Sequence, residues 1–431
     1  MTLRCECCGW SPPRVWPWAW RCPRCGADEG DHLLAPQGDP SVPWPSDPDE
    51  NPFVRYRTLL HAHRAALALG LSDARYVSLV RALDDRVAAV DGRGFRITPF
   101  ARGPVVSGVS TPWVKNDAVN VSGSHKGRHL FGLLLHLEIA REAGLDGARA
   151  PLAIASCGNA ALAAAVLARA GERALDVFVP PDAHPRVLAR LRDLGAAVHV
   201  CARAPGELGD PCVTAFRAAV AQGAIPFACQ GTDNGLTLDG GKTLGYELAD
   251  TGFAFDRIWI QVGGGALASS VSRALEEACA RGLFARCPRV MAVQSAAVAP
   301  LAAAHARVTE AARARVDGGM PEARARESAL ADLRAHRGRY LQAWPTPATS
   351  VAHGILDDET YDGAAVLAAV LRTGGGVVTV DEPTLREAEG YGGGSVDATG
   401  TAGLAGLIAW SRERPRAEET HAVLFTGARR G

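Results

Sequence analysis

The chain has 431 residues, 47% hydrophobic and 21% charged, and its 46 basic side chains balance 46 acidic ones. That length holds two or three domains with sizeable cores. A net charge of zero gives no electrostatic footprint for nucleic acid or an anionic membrane. No apolar run approaches the roughly 18 residues of a membrane span, and no apolar stretch follows the first charges as in a signal peptide. A cytoplasmic protein with neither nucleic-acid nor membrane partners is expected.

Five of the eleven cysteines (Cys5, Cys7, Cys8, Cys22 and Cys25) fall within the first 25 residues. Cys5-x2-Cys8 and Cys22-x2-Cys25, with thirteen residues between them, read as a small zinc ribbon. Each turn presents two thiolates to one tetrahedral Zn²⁺, and four thiolates leave no open position, so the metal is structural. Cys7 is a spare able to replace Cys5 or Cys8. Trp10, Trp16, Trp18 and Trp20 lie between the knuckles as packing or docking surface. Cys157, Cys201, Cys212, Cys229, Cys279 and Cys287 sit in apolar stretches as free thiols, which is not a disulfide framework. Residues 36–52 form a Pro-rich acidic linker. Tyr76, Leu79, Val80, Leu83, Val87 and Val90 then recur at helical spacing, with Ser72 as N-cap and Asp91-Gly92 as the stop.

In Asn120-Val-Ser-Gly-Ser-His-Lys126-Gly-Arg128 one of the few lysines sits in a small-residue turn. The apolar run Leu130–Ile139 follows, so the turn opens a helix. Free N–H groups there, beside an amine, suit an anionic cofactor. A phosphate-bearing aldehyde, pyridoxal 5′-phosphate (PLP), uses such a lysine for its Schiff base.

From about residue 150, strands at Leu152–Ala155, Leu175–Val179, Ala197–Cys201, Pro226–Gln230 and Ile258–Val262 alternate with helices near 159–170, 185–194, 211–222, 241–250 and 266–281. That alternation predicts parallel sheets covered on both faces, with ligands at the carboxyl ends of the strands. Three loops have suitable content. Ala155-Ser156-Cys157-Gly158-Asn159-Ala160 offers backbone N–H groups to a carboxylate, and Asn159 to a phenolic oxygen. Gln261-Val262-Gly263-Gly264-Gly265-Ala266-Leu267 lets backbone wrap a phosphate at a helix start. Asp397-Ala-Thr399-Gly-Thr is a small-residue strand-to-helix turn whose Thr399 hydroxyl suits a pyridine nitrogen.

Taken in order, these loops resemble the fold-type II PLP enzymes, the tryptophan synthase β superfamily, and within it threonine synthase and the threonine/serine dehydratases. Gly123-Ser-His-Lys126-Gly-Arg128 is similar to the family's Gly-Ser-x-Lys-x-Arg, whose lysine holds PLP. Ser156-Cys157-Gly158-Asn159-Ala160 is similar to its substrate-carboxylate loop, in which the Asn meets the cofactor's 3′-oxygen. Gly263-Gly264-Gly265-Ala266-Leu267 resembles its phosphate loop, Gly241-Lys-Thr-Leu-Gly-Tyr-Glu247 a segment common in threonine synthases, and Leu424-Phe-Thr-Gly427 its closing strand. Some threonine synthase-like proteins also carry an N-terminal cysteine ribbon. His125 stands where dehydratases and threonine synthases have Phe, and resembles the His near the phosphate in tryptophan synthase β. Gly127 replaces an Asp and Cys157 a Ser or Thr.

The resemblance implies an α/β fold of two parallel-sheet domains plus the ribbon. Its expected parts are the ribbon (1–35), the linker (36–52), a large PLP-binding domain (53–150 and 236–431) and a small α/β domain (151–235). It implies a homodimer and a PLP-dependent lyase acting on an amino acid as its small-molecule substrate. Lys126 removes the α-proton, and β- or γ-elimination or replacement follows, as in threonine synthase. A dehydratase-type ammonia-lyase for serine, threonine or diaminopropionate is the alternative. A non-catalytic PLP-fold partner or metal-binding scaffold is the third reading, suggested by His125, Gly127 and the long 300–345 insertion.

Overall fold

The computed structural model describes residues 3–12, 19–145, 147, 149–203, 209–346, 348–413 and 418–430. Strands β1 (Leu3–Cys5) and β2 (Leu34–Pro36) pair antiparallel at the N-terminus. β3 (Phe100–Arg102), β4 (Trp113–Asn116), β9 (Arg257–Gln261), β10 (Arg289–Ser295), β11 (Gly376–Val380) and β12 (His421–Phe425) form a sheet in the order β11-β10-β9-β12-β4-β3. It is parallel except for its edge strand β3. β5 (Leu152–Ala155), β6 (Leu175–Val179), β7 (Ala197–Val200) and β8 (Ile225–Pro226) form a second, parallel sheet in the order β7-β6-β5-β8. The fold is thus α/β with two largely parallel sheets.

The strands form where short apolar runs can be covered on both faces. In β9, Ile258, Trp259 and Ile260 are all fully buried, as a central parallel strand requires. The expected helix after Ser72 spans Asp73–Asp91, capped by the Ser72 hydroxyl on Arg75 N–H and stopped by Gly92 in the left-handed region. Three expectations shift. β8 is two residues long instead of spanning 226–230, because the chain leaves the sheet at Pro226, where the residues beyond make turns to Asn234. The helix expected from 241 begins at Thr237. No strand precedes the Thr399 turn, only a single bridge between Val396 and Ala428. The insertion after 300 is mainly a helical pair, Pro300–Asp317 and Glu322–Ala335.

The helix Lys126–Glu142 is buried almost all round, as a helix central to a core must be. It crosses the helix Thr237–Asp250 where Gly240 lets backbones touch. A Cβ on Gly240 would stand 2.1 Å from the Arg128 carbonyl oxygen, which only glycine permits.

Residues 36–52 are strapped to the body and do not hang free: Trp44 Nε1 donates to Asp250 at 3.1 Å, and its ring meets Tyr246 edge-on. Cys279 and Cys287, expected as free thiols, form a disulfide. Their eight-residue separation hid the pairing, because the helix Ala266–Ala280 ends between them and the chain turns back.

Candidate active site and metal cluster

Adjacent strands β9, β12 and β4 deliver their carboxyl ends to one place. β9 runs into Gly263–Gly265, β12 into Thr426-Gly427, and β4 into the turns that reach Lys126, the first residue of its helix. Ser124 bridges Gly427, Ala428 N–H donates to Gly123 O at 2.8 Å, and His125 N–H donates to Thr426 O at 3.2 Å. The lysine turn is therefore stitched to the end of the closing strand.

The sequence holds three lysines, and the structure separates them. Lys115 is buried against Glu247 at 2.6 Å, and Lys242 is buried against Asp239 at 3.2 Å and Glu277 at 3.3 Å. Removing a buried ammonium from its carboxylate costs about 3–5 kcal/mol, so those two amines are committed. Lys126 is half-buried and, among the described residues, forms no hydrogen bond or salt bridge. Its charge lies close enough to bear on His125, His129, Cys229 and Asp357.

His125 faces the Thr426 carbonyl through Nδ1 at 3.3 Å. A carbonyl only accepts, so Nδ1 carries the proton. Burial, then the Lys126 charge, holds His125 well below the ordinary imidazole value. His129 is lowered to about 3 by burial, with the Lys126 charge next. Both imidazoles stay neutral beside the lysine. The absent Asp at 127 has a local reason: a Cβ there would stand 3.0 Å from the Val121 carbonyl and 3.5 Å from the Phe95 ring.

The glycine loop is crowded enough to need its composition. A Cβ on Gly263 would lie 2.2 Å from Asp357 Oδ2 and 3.0 Å from Ile355 Cα, and Gly265 stands at φ 99°. Ala266 and Leu267 start the helix Ala266–Ala280 with their side chains buried, so only backbone N–H groups of that turn can face a ligand. Asp357 lies against this loop and near Lys126. Burial pushes its carboxyl up, while Lys126 opposes the shift. Sequence reasoning missed Asp357, which belongs to no motif.

The Ser156–Ala160 loop leaves β5 and enters the helix Asn159–Ala170. Ser156 Oγ accepts from Gly158 N–H at 3.4 Å. Cys157 is exposed at its tip. Partial burial of the sulfur, then Asp182, pushes its thiol up. Asn159 Nδ2 stands 3.2 Å from where a Cβ on Gly427 would be, which brings this loop against the end of β12. Thr399 is buried, and its Oγ1 accepts from Gly354 N–H at 3.0 Å. Its own hydroxyl proton remains available to a ligand acceptor. Gly354 adjoins Ile355, whose Cα a Cβ on Gly263 would approach at 3.0 Å, so this segment links Thr399 to the glycine loop.

The Gly241–Glu247 segment does not face this cleft. Thr243 Oγ1 and Glu247 accept from Arg128, which also grips Asp117 at 2.8 Å. All four are fully buried. This segment braces the helix that presents Lys126.

At the N-terminus, Cys5, Cys8, Cys22 and His32 bring their ligand atoms within 4.8 Å of one another. Cys8 and Cys22 sulfurs are 3.6 Å apart, and His32 Nδ1 lies 3.4 Å from Cys5 and 3.6 Å from Cys22. The edges of a tetrahedral zinc site with these donors are about 3.6–3.8 Å by bond length, so the residues present fit the ion. The structure groups His32, and not the expected Cys25, with Cys5, Cys8 and Cys22. Cys25 closes a turn onto Cys22 O and its sulfur is held outward by Arg21 at 3.0 Å. His32 is aimed inward by Asp28, 2.7 Å from Nε2. Cys7 points away, onto the Arg334 carbonyl at 3.2 Å. Trp10 and Trp20 pack against the core, whereas Trp16 and Trp18 lie outside the described residues.

Two comparisons bear on most of the chain. The family described as Pyridoxal-phosphate dependent enzyme matches residues 93–427. Threonine deaminase isoform 2 of Solanum lycopersicum is similar at TM-score 0.59 and 16% identity, over 84% of this chain and 92% of that one. Maize serine racemase is similar at TM-score 0.57 and 16% identity, over 82% and 94%. The Escherichia coli diaminopropionate ammonia lyase, solved with an aminoacrylate-PLP azomethine intermediate, is similar at TM-score 0.57 and 14% identity, over 82% and 88%. At such identities the likeness is one of fold. No curated protein matches the sequence. Among the described residues no helix is long and apolar enough to cross a membrane.

Proposed function

The chain belongs to the pyridoxal-phosphate dependent enzymes, and from that premise we propose that it is an amino-acid lyase with Lys126 as its cofactor lysine. The observation that carries the assignment is elimination among three lysines: two are fixed in buried ion pairs, and Lys126 alone is uncommitted at the meeting point of the strand ends. PLP, when bound, supplies an electron sink for charge developing at the substrate α-carbon.

The protein's own residues do the rest. Gly263–Gly265 present backbone N–H groups to a phosphate, Asn159 faces a phenolic oxygen, and Thr399 donates to a pyridine nitrogen. The N–H groups of the Ser156–Ala160 turn donate to a substrate carboxylate, as helix N-termini do. Lys126 takes the α-proton, and neutral His125 and His129 add no second positive charge beside it. Cys157, kept as a thiol at neutral pH, lines the substrate side and carries no negative charge there. The reaction is elimination or replacement of a β- or γ-substituent.

A dehydratase-type ammonia-lyase is the second reading. One observation favours it: Lys242 and Thr243, the residues that tied the sequence to threonine synthases, are buried braces. The ribbon is a structural zinc site of Cys5, Cys8, Cys22 and His32, and the assembly is a homodimer.

The experiment is exchange of the α-proton in heavy water across serine, threonine, phosphohomoserine, phosphoserine and diaminopropionate, with keto-acid release followed in parallel. Exchange that requires added PLP and disappears in Lys126→Ala is expected. PLP-loaded protein that exchanges no α-proton in the panel and releases no product would refute the enzyme reading.

A further inference from the structure

Arg430 lies just past the end of β12 and belongs to no motif. Its Nη2 donates to the Ser122 carbonyl at 2.7 Å. Its Nε and Nη2 donate to Asn159 Oδ1 at 3.0 and 2.9 Å. Ser122 lies in the turn leading to Lys126 and stands in the left-handed region at φ 55°. Asn159 opens the helix that follows β5 in the other sheet. One guanidinium therefore ties the lysine turn to the loop across the cleft.

The chemistry of the contact fixes the polarity of Asn159. A guanidinium has donors and no acceptor, so the amide atom facing it must be the oxygen. The amide NH2 is thereby turned away from Arg430. It points toward Gly427, where a Cβ would stand 3.2 Å from Nδ2 and 3.0 Å from Asp397 Oδ1. Without Arg430 the amide is free to flip end for end, a change of polarity with hardly any change of shape.

We propose that Arg430 is a positioning residue that locks the Asn159 amide so that the pocket sees a donor, matched to an anionic oxygen of the ligand. This rests on the PLP reading, in which that oxygen is the cofactor phenolate. The charged groups bearing on Arg430 are Asp397 and Asp91. Asp397 caps the helix Ala398–Glu413 by accepting from Gly400 N–H at 2.6 Å. It stands at the same Gly427 niche, and its negative charge works against a phenolate. A fixed amide donor offsets that charge and favours the anionic oxygen.

The test uses full-length protein loaded with PLP, and reads the pH midpoint of the visible absorbance band of the lysine-bound cofactor. A lost donor destabilises the phenolate, so Arg430→Gln raises the midpoint by about 0.4–1 pH unit, the shift one hydrogen bond supports. Arg430→Lys keeps the charge without the two-pronged grip, and shifts the midpoint the same way. In an Asn159→Ala background Arg430→Gln loses most of its effect, the signature of coupling through one partner. An unchanged midpoint in Arg430→Gln overturns the proposal, as does an equal shift in both backgrounds, which means the charge acts directly. Wild-type protein without the band, or Lys126→Ala protein that keeps it, brings down the cofactor reading and this proposal with it. That failure appears before Arg430 is changed, so the two are distinguishable.

Discussion

Substituting alanine at each glycine of Gly263–Gly265 tests the phosphate assignment in three graded steps. At Gly263 the new Cβ meets Asp357 Oδ2 at 2.2 Å and Ile355 Cα at 3.0 Å. The carboxylate can rotate aside, but the Ile355 backbone cannot, so the loop must move. At Gly264 the nearest atom is Tyr361 Cδ2 at 3.1 Å, which a small tilt of the ring relieves. At Gly265 the side chain meets Asp362, Thr360 and Val366 carbons at 3.2–3.3 Å while φ is 99°. A left-handed conformation costs an L-residue about 1–2 kcal/mol. A backbone N–H donating to a charged group contributes about 1.5–3 kcal/mol, so a loop displaced enough to lose one such bond weakens PLP binding about 10- to 150-fold. The expected order is Gly264→Ala within about threefold of wild type, an estimate from the ring's freedom to tilt, and Gly263→Ala weaker by the full range. Gly265→Ala is as weak and also less stable, since its strain is present without ligand. Absorbance titration of cofactor-free protein with PLP measures all three. If Gly264→Ala binds worse than Gly263→Ala, or if all three bind like wild type, the phosphate is not held by this loop.

Borohydride reduction of PLP-loaded protein is expected to label Lys126 alone, and a labelled peptide carrying Lys115 or Lys242 would overturn the elimination among the lysines. Arg128→Met strands the buried Asp117 without its cation and leaves Glu247 with Lys115 alone, at a cost of about 3–5 kcal/mol; an unchanged melting temperature would show that the buried network does not brace the lysine helix. Purified protein should hold about one zinc per chain, by the four-ligand rule, lost in His32→Ala and kept in Cys25→Ser, and the reverse pattern would restore the four-cysteine set. Asp362, buried beside Gly265 with Oδ1 unpartnered, is raised from 3.8 to about 7 by burial. The folded state then binds the extra proton between those values, so stability falls as pH rises from about 4 to 7. Asp362→Asn removes that loss, by up to about 4 kcal/mol at pH 8, and parallel melting curves in both proteins at every pH would refute it.

What could be read in advance divides along physical lines. β5 and β6, and the helix at Asn159–Ala170, were legible because a strand buried on both faces and a helix above it leave periods that local sequence alone sets. The N-terminal cysteine cluster was legible, but its histidine was not. Counting CxxC pairs scores thiols only, whereas His32 joins the cluster just ahead of β2, which pairs with β1 across about thirty residues. A signal was present in Asp28-x3-His32 immediately before the apolar Leu33-Leu34: a carboxylate four residues before a histidine can orient it as a ligand. Asp357 and Arg430 gave no signal, because each reaches the cleft through a contact between distant loops.

The reverse case is the more instructive one. Gly241–Glu247 was legible as a motif resembling a threonine synthase segment, and the structure turns it inward onto Arg128, which also holds Asp117. A buried ion network constrains sequence through desolvation, since a missing partner leaves a charge without water. It therefore leaves a pattern as sharp as any active site while touching no ligand. Fold and cofactor can be inferred from such shared patterns. Substrate choice must come from groups outside them, and Asp357, which lies against the glycine loop and near Lys126, is the candidate. A carboxylate so near Lys126 disfavours a negatively charged leaving group passing along the glycine loop. On that ground phosphohomoserine and phosphoserine should be the weakest of the panel, and diaminopropionate, whose second amine is cationic, should gain most. Asp357→Asn should narrow that difference, and equal turnover of both classes in wild-type protein would remove Asp357 from the substrate site.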